Sequence, residues 1–313
     1  KSRPHLMAKF DEFDAHTLYH PYATSLRMSD IGYKSKNQAN LQIDYNSLSG
    51  YVDSLNQAIE SPYPDYEKIG VKVNGEYKQL NSNTLQIENE FYSTIRPKQI
   101  AESCEKPTLA LKRRGVKYIE IRSLDLNLFN PIGIDENTSR FIEAFLLSCL
   151  LQDSPKYNGY EQQVNNVNQL NVAHSGRKPG MEINKDGELI PLKSWAEEIC
   201  TSMKPICEIL DKNEVGSPYS QTLELQSNII QNPDLTPSAK ILQGMKESEQ
   251  AFSCLGLSTS KRHKQYFKQN TLDSETTQQF DQMTIDSRIQ QNQVEATDKI
   301  SFDQFLNNYF SQT

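Results

Sequence analysis

Glu120 and Arg122 stand two positions apart in the run Gly115-Val116-Lys117-Tyr118-Ile119-Glu120-Ile121-Arg122-Ser123-Leu124-Asp125. A carboxylate can ligate a hard cation, and an arginine fork can hold a phosphate or a carboxylate. With a period of two, the run is a strand carrying Tyr118, Glu120, Arg122 and Leu124 on one face. Lys117, Ile119, Ile121 and Ser123 fall on the other, and the β-branched isoleucines suit a back packed on a core. The acid and the arginine then either line a cleft or form a structural ion pair across a sheet. The run alone leaves both open, since ion-pair networks also arise without function.

A second stretch has the same design. In Leu85-Gln86-Ile87-Glu88-Asn89-Glu90-Phe91-Tyr92, alternation predicts a strand with Leu85, Ile87 and Phe91 behind and Gln86, Glu88, Glu90 and Tyr92 in front. It runs into Ile95-Arg96-Pro97-Lys98, where Pro97 is expected to limit further pairing. Two such strands would turn polar fronts toward one cleft, although a sheet with one wet face fits the pattern equally. Upstream, residues 22–33 surround Arg27 with small and polar residues and the tyrosines 22 and 33. That segment shapes a pocket wall or is an ordered surface loop. Arg177-Lys178-Pro179-Gly180 is a basic turn that touches a phosphate or is simply solvated.

The elements that must position these residues follow from periodicity and caps. Leu48, Tyr51, Val52, Leu55 and Ile59 have helical spacing, with Pro62 as a stop. Residues 71–77 form a hairpin around Asn74-Gly75, whose types tolerate positive φ. Asp135 caps a helix to about residue 152 that is apolar on most sides and expected to be central. Residues 153–192 look irregular. Ser194 with Glu197 makes a capping box for a helix that Pro205 should kink, and Thr236-Pro237 opens another. Beyond about Gly256 the chain is polar and glutamine-rich. It closes on Phe302, Phe305, Leu306, Tyr309 and Phe310, aromatics at helical spacing that are expected to dock on the body.

Length and composition bound the reading. The chain has 313 residues, enough for about two domains. A net charge of −7 and a pI of about 5.4, without a basic run, argue against nucleic acid as a partner. No apolar run reaches the roughly 18 residues of a membrane span. The five cysteines form no CxxC pair, and Cys200 and Cys207 are spaced two turns apart for core packing, which suits reduced thiols in the cytoplasm. The five histidines show no ligand spacing, and no Walker loop, GxGxxG or GxSxG is present. The opening Lys-Ser-Arg-Pro-His lacks an initiator Met and a signal core, so a piece of a longer protein is expected.

In chain order, Tyr22-Ala23-Thr24-Ser25-Leu26-Arg27-Met28-Ser29-Asp30, the 85–92 stretch, the 118–125 strand, Pro131-Ile132-Gly133-Ile134-Asp135 and the 177–180 turn resemble glutamate–cysteine ligase of the proteobacterial type. The resemblance covers roughly residues 1–250 and is loose beyond. It implies an α+β fold: part of a curved antiparallel sheet of the glutamine-synthetase-like type, helices packed behind it, and a mainly helical C-terminal part. The division implied is a sheet-containing portion over 1–152, incomplete at its N-terminal side, an irregular then helical region over 153–256, and a glutamine-rich tail with a terminal amphipathic helix over 257–313.

The resemblance also implies a reaction, the first of glutathione biosynthesis. ATP phosphorylates the γ-carboxylate of glutamate, and the amine of cysteine attacks the acyl phosphate. By position, Glu120 matches a glutamate that binds catalytic Mg²⁺, and Arg122 matches the arginine facing the transferring phosphoryl group. Arg27, Tyr33 and Tyr92 match residues around the cysteine substrate. The partners implied are small molecules (glutamate, cysteine and ATP), with no nucleic acid and no membrane. One departure is serious: the family places most metal carboxylates and much of its ATP site in an upstream portion. Mg²⁺ takes six oxygens, so Glu120 alone is insufficient, and these residues are expected to be inactive without the missing N-terminal part. A degenerate relative that binds amino acids or a partner chain without catalysis is the alternative.

Overall fold

The structure, a computed structural model, describes residues 10–32, 36–38 and 41–312. Its elements begin with β1 (Asp11–Asp14), β2 (Thr17–Tyr19), α1 (Leu48–Glu60), α2 (Pro64–Ile69), β3 (Lys72–Val73), β4 (Glu76–Tyr77), β5 (Ile95–Lys98), α3 (Pro107–Arg114), β6 (Tyr118–Ile121) and α4 (Glu136–Leu151). There follow α5 (Gly159–Ser175), β7 (Glu182–Lys185), β8 (Glu188–Pro191), α6 (Leu192–Leu210), α7 (Pro218–Gln231), α8 (Pro237–Ser248), α9 (Phe252–Gln269), α10 (Ser274–Thr297) and α11 (Phe302–Phe310). The described strands form small antiparallel ladders of two strands each. The fold is therefore mixed, helices with small antiparallel sheets. Contacts group the chain into two units, residues 1–34 with 123–263 and residues 35–122 with 264–313.

The second unit has its core on α1. Ser47 caps that helix through Gly50 N–H, and Tyr51, Val52, Leu55, Ala58 and Ile59 bury one face. Ile43, Leu85, Phe91 and Leu111 complete the cluster. The β3–β4 hairpin turns through Asn74 (φ 53°) and Gly75 (φ 83°), as the Asn-Gly pair predicts. The 85–92 stretch is not a strand. Leu85, Glu88 and Phe91 are its buried residues, a period of three, and Glu88–Glu90 is a 3₁₀ turn. Glu88 is thus inside: it accepts from Thr108 Oγ1 at 2.9 Å and from Tyr309 OH at 3.0 Å.

That second bond belongs to α11, which docks as its aromatics predict. Phe302 meets Tyr77 edge-on at 5.0 Å, and Lys72 pairs with Asp303 at 3.0 Å. The glutamine-rich α10, by contrast, buries none of its residues.

In the first unit α4, α6 and α7 pack around Ala144, Cys200, Met203, Cys207 and Leu223. Both cysteines are inside, as their spacing implies. Asp135 caps α4 through Thr138 N–H at 2.7 Å, but the helix is not central. Only Ala144 and Ser148 are buried, because one face alone meets α6 and α7 and Leu150 stands 77% exposed. Residues 153–192 are not irregular either. Asn158 and Glu161 form a reciprocal capping box for α5, whose Asn- and Gln-rich sequence hides its helical period. Asp186 (φ 55°) and Gly187 (φ 92°) turn the β7–β8 hairpin. The helix expected to start at Ser194 begins at Leu192, directly after Pro191, and continues through Pro205. α8 opens at Pro237 as predicted, and Thr236 caps it by accepting from Ala239 N–H.

Candidate active site

Of the strand expected over 115–125 only Tyr118–Ile121 is realised, as β6, and its partner is β5. The register sets Ile95 against Ile121, Arg96 against Glu120, Pro97 against Ile119 and Lys98 against Tyr118. Arg122 N–H bonds Thr94 O at 2.8 Å, so alternate pairs are hydrogen-bonded, Arg96–Glu120 among them. Pro97 falls in an intervening pair, where its missing N–H would point away from β6. It therefore sits inside the ladder without breaking it.

Opposed residues share a face, so Arg96, Glu120 and Arg122 lie together. The expectation that the isoleucines pack on a core is reversed. Ile119 is 49% exposed, whereas Arg96 is 6% exposed. The polar face is the covered one because Tyr51 of α1 and Tyr45 lie within electrostatic range of Arg96, and Tyr45 OH donates to Ile95 O at 3.0 Å. Arg122 Nε is 3.9 Å from Glu120 Oε1. Arg96 donates from Nη2 to Asn89 O at 3.1 Å, and its buried Nε has no hydrogen-bond partner. Burial, then the like charge of Arg122, holds the Arg96 pKa below the usual arginine value. Burial also pushes the Tyr51 phenol well above the usual phenol range. Two guanidinium groups against one carboxylate leave this face net positive, which suits an anionic group.

Tyr92 belongs to the same unit and stands 44% exposed, three residues before β5. Gln38 pins its backbone, accepting from Tyr92 N–H at 2.9 Å and donating to Glu90 O at 2.7 Å.

Arg27 belongs to the other unit, in a 3₁₀ turn (Leu26–Met28) that Ser25 caps. Its guanidinium is oriented by Asp125 Oδ1 at 2.6 Å and Leu124 O at 2.8 Å. Tyr33 lies outside the described residues. The 177–180 turn is not solvated at Arg177. That side chain is 6% exposed and donates to Ala23 O at 3.0 Å and Pro21 O at 2.6 Å. It holds the Arg27 segment, and burial lowers its pKa.

Among the described residues no three His, Cys, Asp or Glu side chains converge as a metal site. Glu120 is a single carboxylate flanked by arginines, so the described residues do not by themselves fit Mg²⁺. Arg96 is the site residue that sequence reasoning passed over. The signal was its place between Ile95 and Pro97, directly before a proline expected to limit pairing.

Residues 1–172 match the family model described as Glutamate-cysteine ligase. Over 309 residues the chain is 43% identical to a glutamate–cysteine ligase of Pseudomonas paraeruginosa (strain DSM 24068 / PA7), covering 99% of this chain and 58% of that protein. The same enzyme of Pseudomonas putida (strain W619) gives 43% identity over 99% of this chain and 58% of that protein. The fold matches a crystal structure of glutamate–cysteine ligase from Francisella tularensis in complex with AMP, with a TM-score of 0.89 at 35% identity, covering 96% of this chain and 59% of that chain. A bifunctional glutathione synthetase from Pasteurella multocida shares the fold at a TM-score of 0.57 and 19% identity, covering 83% of this chain and 29% of that chain. The chain thus spans somewhat more than half the length of the curated relatives it matches.

Proposed function

The chain belongs to the glutamate–cysteine ligase family, and on that footing we propose that it supplies one wall of a site for ATP-dependent joining of the γ-carboxylate of glutamate to the amine of cysteine. The observation that carries the reading is the shared face of Arg96, Glu120 and Arg122 on a hydrogen-bonded ladder. Phosphoryl transfer depends mainly on positioning and charge neutralisation, and fixed guanidinium groups meet developing phosphoryl charge without reorganising. Arg122 takes the role of the arginine facing the transferring phosphoryl group. Arg27, Tyr33 and Tyr92 take the cysteine substrate, with the tyrosine hydroxyls donating to its carboxylate. That a relative's structure holds AMP supports a nucleotide as co-substrate.

Glu120 is assigned as one ligand among several to Mg²⁺, the rest coming from outside these 313 residues. β5 and β6 are read as two strands of a curved antiparallel sheet of glutamine-synthetase type, in a cytoplasmic enzyme. Because the chain covers 58% of its relatives, the reading also holds that these residues do not turn over without the complementary portion.

The test is ATP-dependent γ-glutamylcysteine formation by protein containing these residues together with that portion. Arg122→Ala should lower kcat by about 10³-fold, and Arg122→Lys should not rescue it, because lysine lacks the planar fork. Normal turnover by Arg122→Ala refutes the assigned role. Appreciable turnover by the 313 residues alone refutes the incompleteness.

A further inference from the structure

Arg27 is carried on a turn of three residues, and both ends of that turn are tied to one place, the C-terminal end of α5. Before the turn, Thr24 N–H and Ser25 N–H donate to Ala173 O at 3.0 and 3.3 Å, and Thr24 Oγ1 donates to Val172 O at 2.7 Å. Ala173 O is a carbonyl that the end of a helix leaves without an internal partner, whereas Val172 O also accepts from Gly176 N–H at 2.8 Å. After the turn, Asp30 Oδ1 meets His174 Nε2 at 2.6 Å. His174 is 7% exposed, with its Nδ1 buried and without a hydrogen-bond partner. The ring is therefore committed to Asp30 through Nε2, its hydrogen-bonded nitrogen. The turn itself has little slack, since Ser29 is fully buried and a Cβ on Gly32 would overlap the carbonyl of Arg27.

From this we infer that His174 is a positioning residue for Arg27, acting through Asp30 to fix the far end of the turn that presents the guanidinium. The near end is held by main-chain bonds that most substitutions leave intact. The far end is tied to α5 through a side-chain pair, which a substitution can remove. The inference rests on the reading of Arg27 as a cysteine-binding residue.

The experiment measures KM for cysteine, KM for ATP and kcat in ligase-competent protein containing these residues. His174→Leu removes the donor, His174→Gln keeps a donor at the Nε2 position, and Asp30→Asn changes the acceptor. Losing a hydrogen bond to a carboxylate should raise KM for cysteine by about tenfold, with KM for ATP and kcat changed by less than about twofold. His174→Gln should recover most of that loss, and Asp30→Asn should raise the same KM. Arg27→Ala is the control. If Arg27→Ala raises KM for cysteine and neither His174→Leu nor Asp30→Asn does, His174 is not a positioning residue. If the variants lower kcat and thermal stability together, without the split in KM, the role is merely structural and the inference also fails. Should His174→Leu not fold, His174→Gln and Asp30→Asn decide the matter by the same split. If Arg27→Ala itself leaves KM unchanged, it is the reading of Arg27 that falls.

Discussion

Arg96 and Glu120 face each other across the β5–β6 ladder, and the arginine is the more deeply buried of the two. The pair inverts the usual picture of a functional acid held by a solvated base. Here the cation is inside, close to a second guanidinium, and the half-exposed carboxylate offsets both. Removing that carboxylate leaves two like charges together, and removing Arg96 leaves a packed site short of its polar partner.

Arg96→Met should therefore destabilise the protein by about 1–3 kcal/mol in urea unfolding, since the Asn89 carbonyl loses the buried donor it accepts from. Arg96→Met with Glu120→Gln should cost less than the two single changes summed, because neither charge is then left alone. Additive losses would mean that the two side chains do not interact.

Glu88 and Tyr309 make a prediction about alkali. Burial, and then the Glu88 carboxylate, raises the Tyr309 phenol above its ordinary value, and burial does the same for Tyr51. A group raised on folding contributes stability that is complete below its unfolded pKa, about 10 for a phenol, and that is lost as pH climbs toward the folded value. Unfolding free energy should fall steadily above about pH 10, and Tyr309→Phe should flatten that slope. At neutral pH the same change should cost about 1–2 kcal/mol, since Glu88 keeps only the Thr108 hydroxyl. An unchanged alkaline limb in Tyr309→Phe would contradict the burial of this bond.

Gly176 sits where α5 meets the Arg27 segment. A Cβ there would lie 2.6 Å from Val172 O and 2.7 Å from Thr24 Cγ2. Its backbone is ordinary right-handed helix, so the constraint is space alone. Gly176→Ala should cost about 1–3 kcal/mol by overpacking, and Thr24→Ser in the same chain should return part of it by removing the methyl group. Thermal unfolding of the three proteins checks this.

Much of the site was legible because it is local. Glu120 and Arg122 announce themselves by alternation, Asp135 by cap chemistry, the start of α8 by Pro237, and Asn74-Gly75 by the φ angles those types tolerate. What escaped is non-local. Arg96 gains meaning only from its register against β6, and that register runs through a proline whose nitrogen points outward. Glu88 seemed to be on a wet front because its partner Tyr309 is 221 residues away. His174 lies on a helix whose asparagines and glutamines mask the helical period, and Asp30, its acceptor, is 144 residues upstream.

The position of α11 has a consequence for the order of events during synthesis. Glu88 leaves the ribosome 221 residues before Tyr309 does. At about 5–20 residues per second, the interval is about 10–40 s. Through that time the carboxylate and the β3–β4 hairpin wait for a helix not yet translated, while residues 123–263 of the first unit are made in between. The second unit is thus begun early and closed late, and its nascent form is the one that a chaperone or a protease meets.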